Sequence, residues 1–231
     1  MRTAAILPVK RFAEAKQRLG SSGVDDSLRA DLARAMVGDV LVALRDIPSL
    51  DRTIVVTNER SVVAAARYQG ALVVPDTSET GQNGAIALGV ERALAEGFGR
   101  VLCVPGDCPA LDPMEIDALL AQTPIATREH PLVVIVPDRH GAGTNGLLLT
   151  PPDAIASSFG PDSCERHLDL ARAVSASCRI ERPASLLLDV DTDADLAVLR
   201  GRLADAHDRA PRTRAVLGLP PAQANPVAKI V

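Results

Sequence analysis

Three aspartates stand where chemistry could be done. Asp107 follows the apolar run Val101 to Val104 and a Pro105-Gly106 break, while Asp189 and Asp191 close the apolar run that begins at Ser185. A carboxylate just past a buried parallel strand lies where open α/β sheets bind ligands. If those strands are neighbours the three carboxylates converge. Mg²⁺ takes one or two carboxylates plus phosphate oxygens, the arrangement that neutralises a nucleoside triphosphate during phosphoryl or nucleotidyl transfer. Asp107 could equally close a turn by bonding its own backbone, and Asp191 could serve the start of the last helix. Asp189 has no such simple explanation.

Candidate anion sites lie elsewhere along the chain. Lys10, Arg11, Lys16 and Arg18 follow directly on the first apolar run. They read either as a solvated helix face or as a triphosphate cradle. Thr144, between Gly143 and Asn145, could offer a hydroxyl and an amide to a phosphate, or form an ordinary hairpin turn. The segment Gly160 to His167 places Ser163 at a helix start, where amides and the helix dipole favour an anion; a plain N-cap by Asp162 or Ser163 is the alternative. There is no P-loop and no dinucleotide fingerprint. Asp189 opens a stretch resembling a calcium loop, but the sixth residue is Ala194 rather than Gly and the twelfth is Arg200 rather than Glu, which excludes it. The same stretch resembles the nucleophile motif of haloacid-dehalogenase-type phosphatases, but there the domain follows the motif, and here little chain follows.

The elements that must position these residues alternate. Strands are expected at Ala4 to Val9, Thr53 to Thr57, Ala71 to Val74, Val101 to Val104, Leu132 to Val136, Leu147 to Leu149 and Ser185 to Val190. Helices are expected at Asp25 to Asp46, Ser61 to Tyr68, Ala85 to Ala95, Pro113 to Ala121, from Ser163 to about Val174, and Ala194 to Leu203, with Thr192 and Asp195 as its capping pair. This alternation predicts a three-layer α/β domain with a mostly parallel, doubly wound sheet over residues 1–204 and a loosely ordered tail over 205–231. With aromatics at 2% and no Trp, the core must be aliphatic, and stacking of nucleic-acid bases is disfavoured. A net charge of −4 argues against bulk attraction to nucleic acid or an anionic membrane. No apolar run is long enough to span a bilayer. The four cysteines form no C-x-x-C pair and read as reduced structural thiols, which suggests the cytoplasm.

Taken in order, these segments resemble the guanylyltransferases of deazaflavin coenzyme F(420) biosynthesis. The resemblance rests on Val9-Lys10-Arg11 with Ala15 to Leu19, Gly106 to Leu111, Gly141 to Thr144, Phe159 to Ser163 and Asp189 to Thr192. It implies the nucleotidyltransferase version of the doubly wound sheet. It implies Mg²⁺, as two ions, on Asp107, Asp189 and Asp191. Thr144, Gly160 and Ser163 would hold a phosphorylated three-carbon acid, phosphoenolpyruvate or 2-phospho-L-lactate. Lys10, Arg11 and Lys16 would face the GTP phosphates, with Lys10, Lys16 and Asp107 as the catalytic set, and Asn83 would stand near the nucleotide. Gln82, just before it, departs from the Leu common in relatives. A homodimer, and a downstream transferase that takes the labile product, are the expected protein partners. Other nucleotidyltransferases, nucleotide-sugar glycosyltransferases and a non-catalytic nucleotide-binding module remain alternatives.

Overall fold

The computed structural model describes residues 1–12, 26–77, 81–124, 126–206 and 208–221. Its strands are β1 (Thr3–Val9), β2 (Arg52–Thr57), β3 (Leu72–Val74), β4 (Arg100–Cys103), β5 (Leu132–Pro137), β6 (Thr144–Thr150) and β7 (Ser177–Ile180). The helices are α1 (Asp26–Arg45), α2 (Arg60–Tyr68), α3 (Gly81–Ala95), α4 (Pro113–Gln122), α5 (Ser163–Ala173), α6 (Asp193–Asp205) and α7 (Pro211–Val216). The strands form one sheet in the order β3-β2-β1-β4-β6-β5-β7, in which β6 runs against both of its neighbours and the other pairs are parallel.

Strands buried on both faces read as continuous apolar runs. In β1, Ala5 and Leu7 face one layer with α1 and α4, while Ala4 and Ile6 face the other with α3 and α5. The chain leaves β1 to build β2 and β3 on one side, then returns through β4 to build the other. The sheet therefore reverses its direction of growth between β1 and β4, where such sheets bind ligands. The ends of β1, β4 and β5 and the start of β6 meet at this one edge. Among the described residues no helix is long and apolar enough to cross a membrane.

Three expectations are corrected. Ser185 to Val190 is not a strand. It forms a 3-10 turn, Ala184–Leu186, and then an extended stretch. Its period-two pattern is real: Leu186, Leu188 and Val190 are fully buried and Leu187 is not. The neighbours of β4 are already β1 and β6, however, so the stretch crosses over the sheet's edge instead of joining it. The last strand is β7, whose sequence Ser-Cys-Arg-Ile lacks an apolar run because it lies at a partly exposed margin. The tail expectation fails for residues 208–221. There α7 packs on α1, the buried Asp39 carboxylate accepts from the amides of Arg212 (3.1 Å) and Thr213 (2.8 Å), and Arg214 is 1% exposed. Smaller differences concern α3, which begins four residues before the expected Ala85, and β6, which is longer at both ends. Asp112 caps α4 and Thr192 with Asp195 forms a capping box on α6, as their spacing implies.

Candidate active site

The turn after β4 passes beneath α1. A β-carbon on Gly106 would come within 2.9 Å of Val37 Cγ2, so only glycine lets the chain turn there and present Asp107. The Asp107 carbonyl accepts from the Val190 amide at 3.1 Å. This bond brings the extended stretch to the end of β4. Leu188 and Val190 point into a small core with α1 and α6, so Asp189 and Asp191 project the other way. Asp107 and Asp191 line two adjoining cavities, of about 320 and 790 Å³, and Asp189 lines the larger. Lys10, the first residue past β1, also lines both.

Burial pushes the Asp189 carboxyl up to about 6, the negative charges of Asp107 and Asp191 push the same way, and the Asn145 amide, donating to Oδ1 at 3.1 Å, opposes them. Carboxylates that destabilise one another's charge suit a cation. Among the described residues no three His, Cys, Asp or Glu groups are arranged to hold a metal ion by themselves. In its chemistry alone, a set of carboxylates open to a cavity suits a hard cation that keeps part of its shell for water and phosphate oxygens, as Mg²⁺ does.

Thr144, Gly160 and Ser163 line the larger cavity. Gly160 has φ of 122°, which favours glycine. Asp162 takes the N-cap position of α5 in the left-handed region and makes no side-chain cap bond. The first amides of α5 are nonetheless occupied: Ser163 donates to the Gly160 carbonyl at 3.1 Å and Cys164 to the Ala142 carbonyl at 3.0 Å. The expectation that free amides at this helix start hold an anion is corrected for these two. The Ser163 hydroxyl, buried and without a hydrogen-bond partner among the described residues, leaves a donor at the cavity.

The sequence profile of guanylyl transferases of the CofC-like family matches residues 3–208. The chain belongs to that family. It is 47% identical over 217 residues to a phosphoenolpyruvate guanylyltransferase of Conexibacter woesei, covering 94% of this chain and 96% of that one. It is 34% identical over 210 residues to a 2-phospho-L-lactate guanylyltransferase of Methanothermobacter thermautotrophicus, covering 90% and 89%. A solved nucleotidyl transferase from the same archaeon superposes with a TM-score of 0.57 at 20% identity, over 88% of this chain and 98% of that one, and so shares the fold. The expected fold class, an α/β nucleotidyltransferase-type sheet, is the one observed.

Not every residue expected from the guanylyl transferase resemblance stands at the cavities. Lys16 lies outside the described residues. Arg11 is exposed. Asn83 commits its side chain to the Phe159 backbone, donating to its carbonyl at 3.2 Å and accepting from its amide at 2.7 Å. Gln82 lines both cavities instead. Two supports were not legible in the sequence. Asn145 reaches Asp189, and Arg139 pairs with Asp195 at 2.7 Å. Burial alone would raise the Asp195 carboxyl. The Thr192 hydroxyl and amide, the Asp191 amide and Arg139 together hold it below the usual range. The Thr192-Asp195 spacing signalled a cap, and the cap also fixes the backbone of Asp191.

His167 is fully buried behind Thr144. Burial, and secondarily the charge of Arg166, depress its imidazole from 6.5 to about 4. Between these values the unfolded chain binds more protons than the folded one, so stability falls as pH drops from 6.5 towards 4. The expected loss is about 3 kcal/mol. Urea titrations above and below this window should show it, and His167→Gln should flatten that part of the profile.

Proposed function

We propose that the protein transfers GMP from GTP to the phosphate of a small phosphorylated three-carbon acid and releases pyrophosphate, as a step of deazaflavin coenzyme F(420) biosynthesis. Phosphoenolpyruvate is the foremost acceptor and 2-phospho-L-lactate the next. The observation that carries the reading is the seam: Lys10, Asp107 and Asp191 line both cavities, so one residue set faces two ligands that can meet. The smaller cavity, walled by Val9, Phe12, Met36 and Val37, takes the nucleoside. The larger, with the Thr144 and Ser163 hydroxyls and Gly160, takes the acid.

A phosphate oxygen of the acid attacks the α-phosphorus of GTP in line. The bond from that phosphorus to the β-bridging oxygen breaks, pyrophosphate leaves with the electron pair, and a guanylylated, diphosphate-linked acid remains. The attacking oxygen is already ionised, so no side chain need remove a proton. Lys10 at the seam offsets negative charge; the family resemblance assigns Arg11 and Lys16 to the same phosphates and Asn83 to the nucleotide. Asp107, Asp189 and Asp191 would hold Mg²⁺, which when bound draws charge from the triphosphate. Positioning and charge neutralisation carry the rate. Guanylylation of an enol phosphate gives a labile product, so a downstream transferase that takes it directly belongs to the reading. The four free thiols support a reducing, cytoplasmic setting for the reaction, and burial holds the Cys103 thiol up at about 12 and so unreactive.

The test is pyrophosphate release from purified protein with GTP, Mg²⁺ and each acid in turn: phosphoenolpyruvate, 2-phospho-L-lactate and 3-phosphoglycerate. Release matched by guanylylated acid, with the highest kcat/KM for phosphoenolpyruvate, is expected. Release only with a sugar 1-phosphate, or GTP binding without release, would reject the reading.

A further inference from the structure

His167 itself lines neither cavity, yet both of its ring nitrogens are engaged. The Ser158 amide donates to Nε2 at 2.9 Å. A backbone N–H can only donate, so Nε2 carries no proton. The neutral ring therefore bears its proton on Nδ1, which lies 3.1 Å from Thr144 Oγ1. The Thr144 oxygen accepts from the ring, so its own proton must point elsewhere. The opening left to it is the larger cavity, which Thr144 lines.

We propose that His167 is a positioning residue of the acceptor pocket: it fixes the Thr144 hydroxyl as a donor towards an anionic oxygen of the acid and holds the adjoining Ser158–Phe159 loop through the same ring. The identity of that anion rests on the transfer reading above; the tautomer does not. Three further features fit the role. The ring is fully buried and burial keeps it uncharged, so the direction of donation does not change across the physiological range. The ring meets Phe159 edge-on with centroids 5.1 Å apart, which limits its rotation. Arg166, one residue before, donates to the Ser158 hydroxyl at 2.9 Å and carbonyl at 2.8 Å, so the loop that His167 reaches is held from the same helix turn. The unpartnered Ser163 hydroxyl stands in the same cavity, and two hydroxyl donors there suit an oxyanion rather than a neutral group.

Two variants separate the two arms of the ring. In His167→Gln the side-chain carbonyl stands where Nε2 does and keeps the Ser158 bond but loses the donor to Thr144. In His167→Asn the side-chain amide stands where Nδ1 does and keeps that donor. The Gln variant should raise the KM for the acid about tenfold with the KM for GTP unchanged, and the Asn variant should stay within about threefold of wild type. Thr144→Val should raise it as His167→Gln does, and the double variant should be no worse than either alone. An unchanged acid KM in the Gln variant, or an equal rise in the KM for GTP, would overturn the proposal. Nitrogen NMR of the wild-type histidines provides a readout that needs no turnover and no variant enzyme to be active. A proton on Nδ1 and none on Nε2 of His167 is expected at neutral pH. A proton on Nε2 would overturn the proposal even if the Gln variant does not fold. Failure of the wild-type protein to release pyrophosphate would reject the transfer reading and leave this tautomer as it is.

Discussion

Replacing Asp107 by Ala should lower guanylyl transfer by about a thousandfold or more while the fold survives. The side chain and the backbone of this residue do different work. The tether to the Asp189–Asp191 stretch is the Asp107 carbonyl, which accepts from Val190 and is kept by any substitution. The carboxylate stands at the seam between the cavities and acts on Asp189 through its charge. Loss of the charge should therefore remove cation and phosphate organisation with little loss of stability. Asp107→Asn, which keeps the size and removes the charge, should be as inactive. Turnover near wild type in either variant would remove the aspartate from the reaction. Asp189 offers an independent check in the same variants, because its carboxyl should fall back towards the ordinary carboxylate range when the neighbouring charge is gone.

The second large effect concerns stability. Arg214 is buried in the C-terminal segment and donates to the carbonyls of Arg209 (2.9 Å), Pro220 (3.1 Å), Ala206 (2.6 Å) and Leu203. Arg214→Ala would leave these carbonyls without that donor and open a cavity. The expected cost is about 3–5 kcal/mol, which for a chain of this length lowers Tm by about 10 °C. The consequence should reach the site. Met36 of α1 walls the smaller cavity and packs in the same small core as Leu199, Leu203 and Ala210, over which α7 folds. The KM for GTP should therefore rise more than the KM for the acid. A melting temperature within a few degrees of wild type would show that the segment contributes little.

Most of the sheet was legible because strands buried on both faces carry continuous apolar runs, and β1, β2, β4 and β5 do. The gathering of Asp107 with Asp189 and Asp191 was foreseen for a partly wrong reason. The alternation in residues 186–190 was read as a strand in the sheet, whereas it is an extended stretch whose Val190 amide bonds the Asp107 carbonyl. Alternation reports one buried side, not a hydrogen-bonding partner. The edge strand β7 and helix α7 were missed for opposite reasons. One is too polar to show a pattern, and the other is six residues held by Asp39, from a helix more than 170 positions earlier, and by a buried arginine. No local pattern could announce either contact. The positions of Thr144 and Ser163 were legible from their loops, but the bonds that aim Thr144 run through His167, which on sequence alone is one histidine on a helix.

In the proposed reaction two ligands meet at one carboxylate seam. A crystal structure of the protein with Mg²⁺, a GTP analogue that cannot release pyrophosphate, and phosphoenolpyruvate would examine it most directly. The acid's phosphate should lie by the Thr144 and Ser163 hydroxyls and face the α-phosphorus across Lys10 and Asp107. A triphosphate filling the larger cavity, or an acid bound away from Asp107, would contradict it.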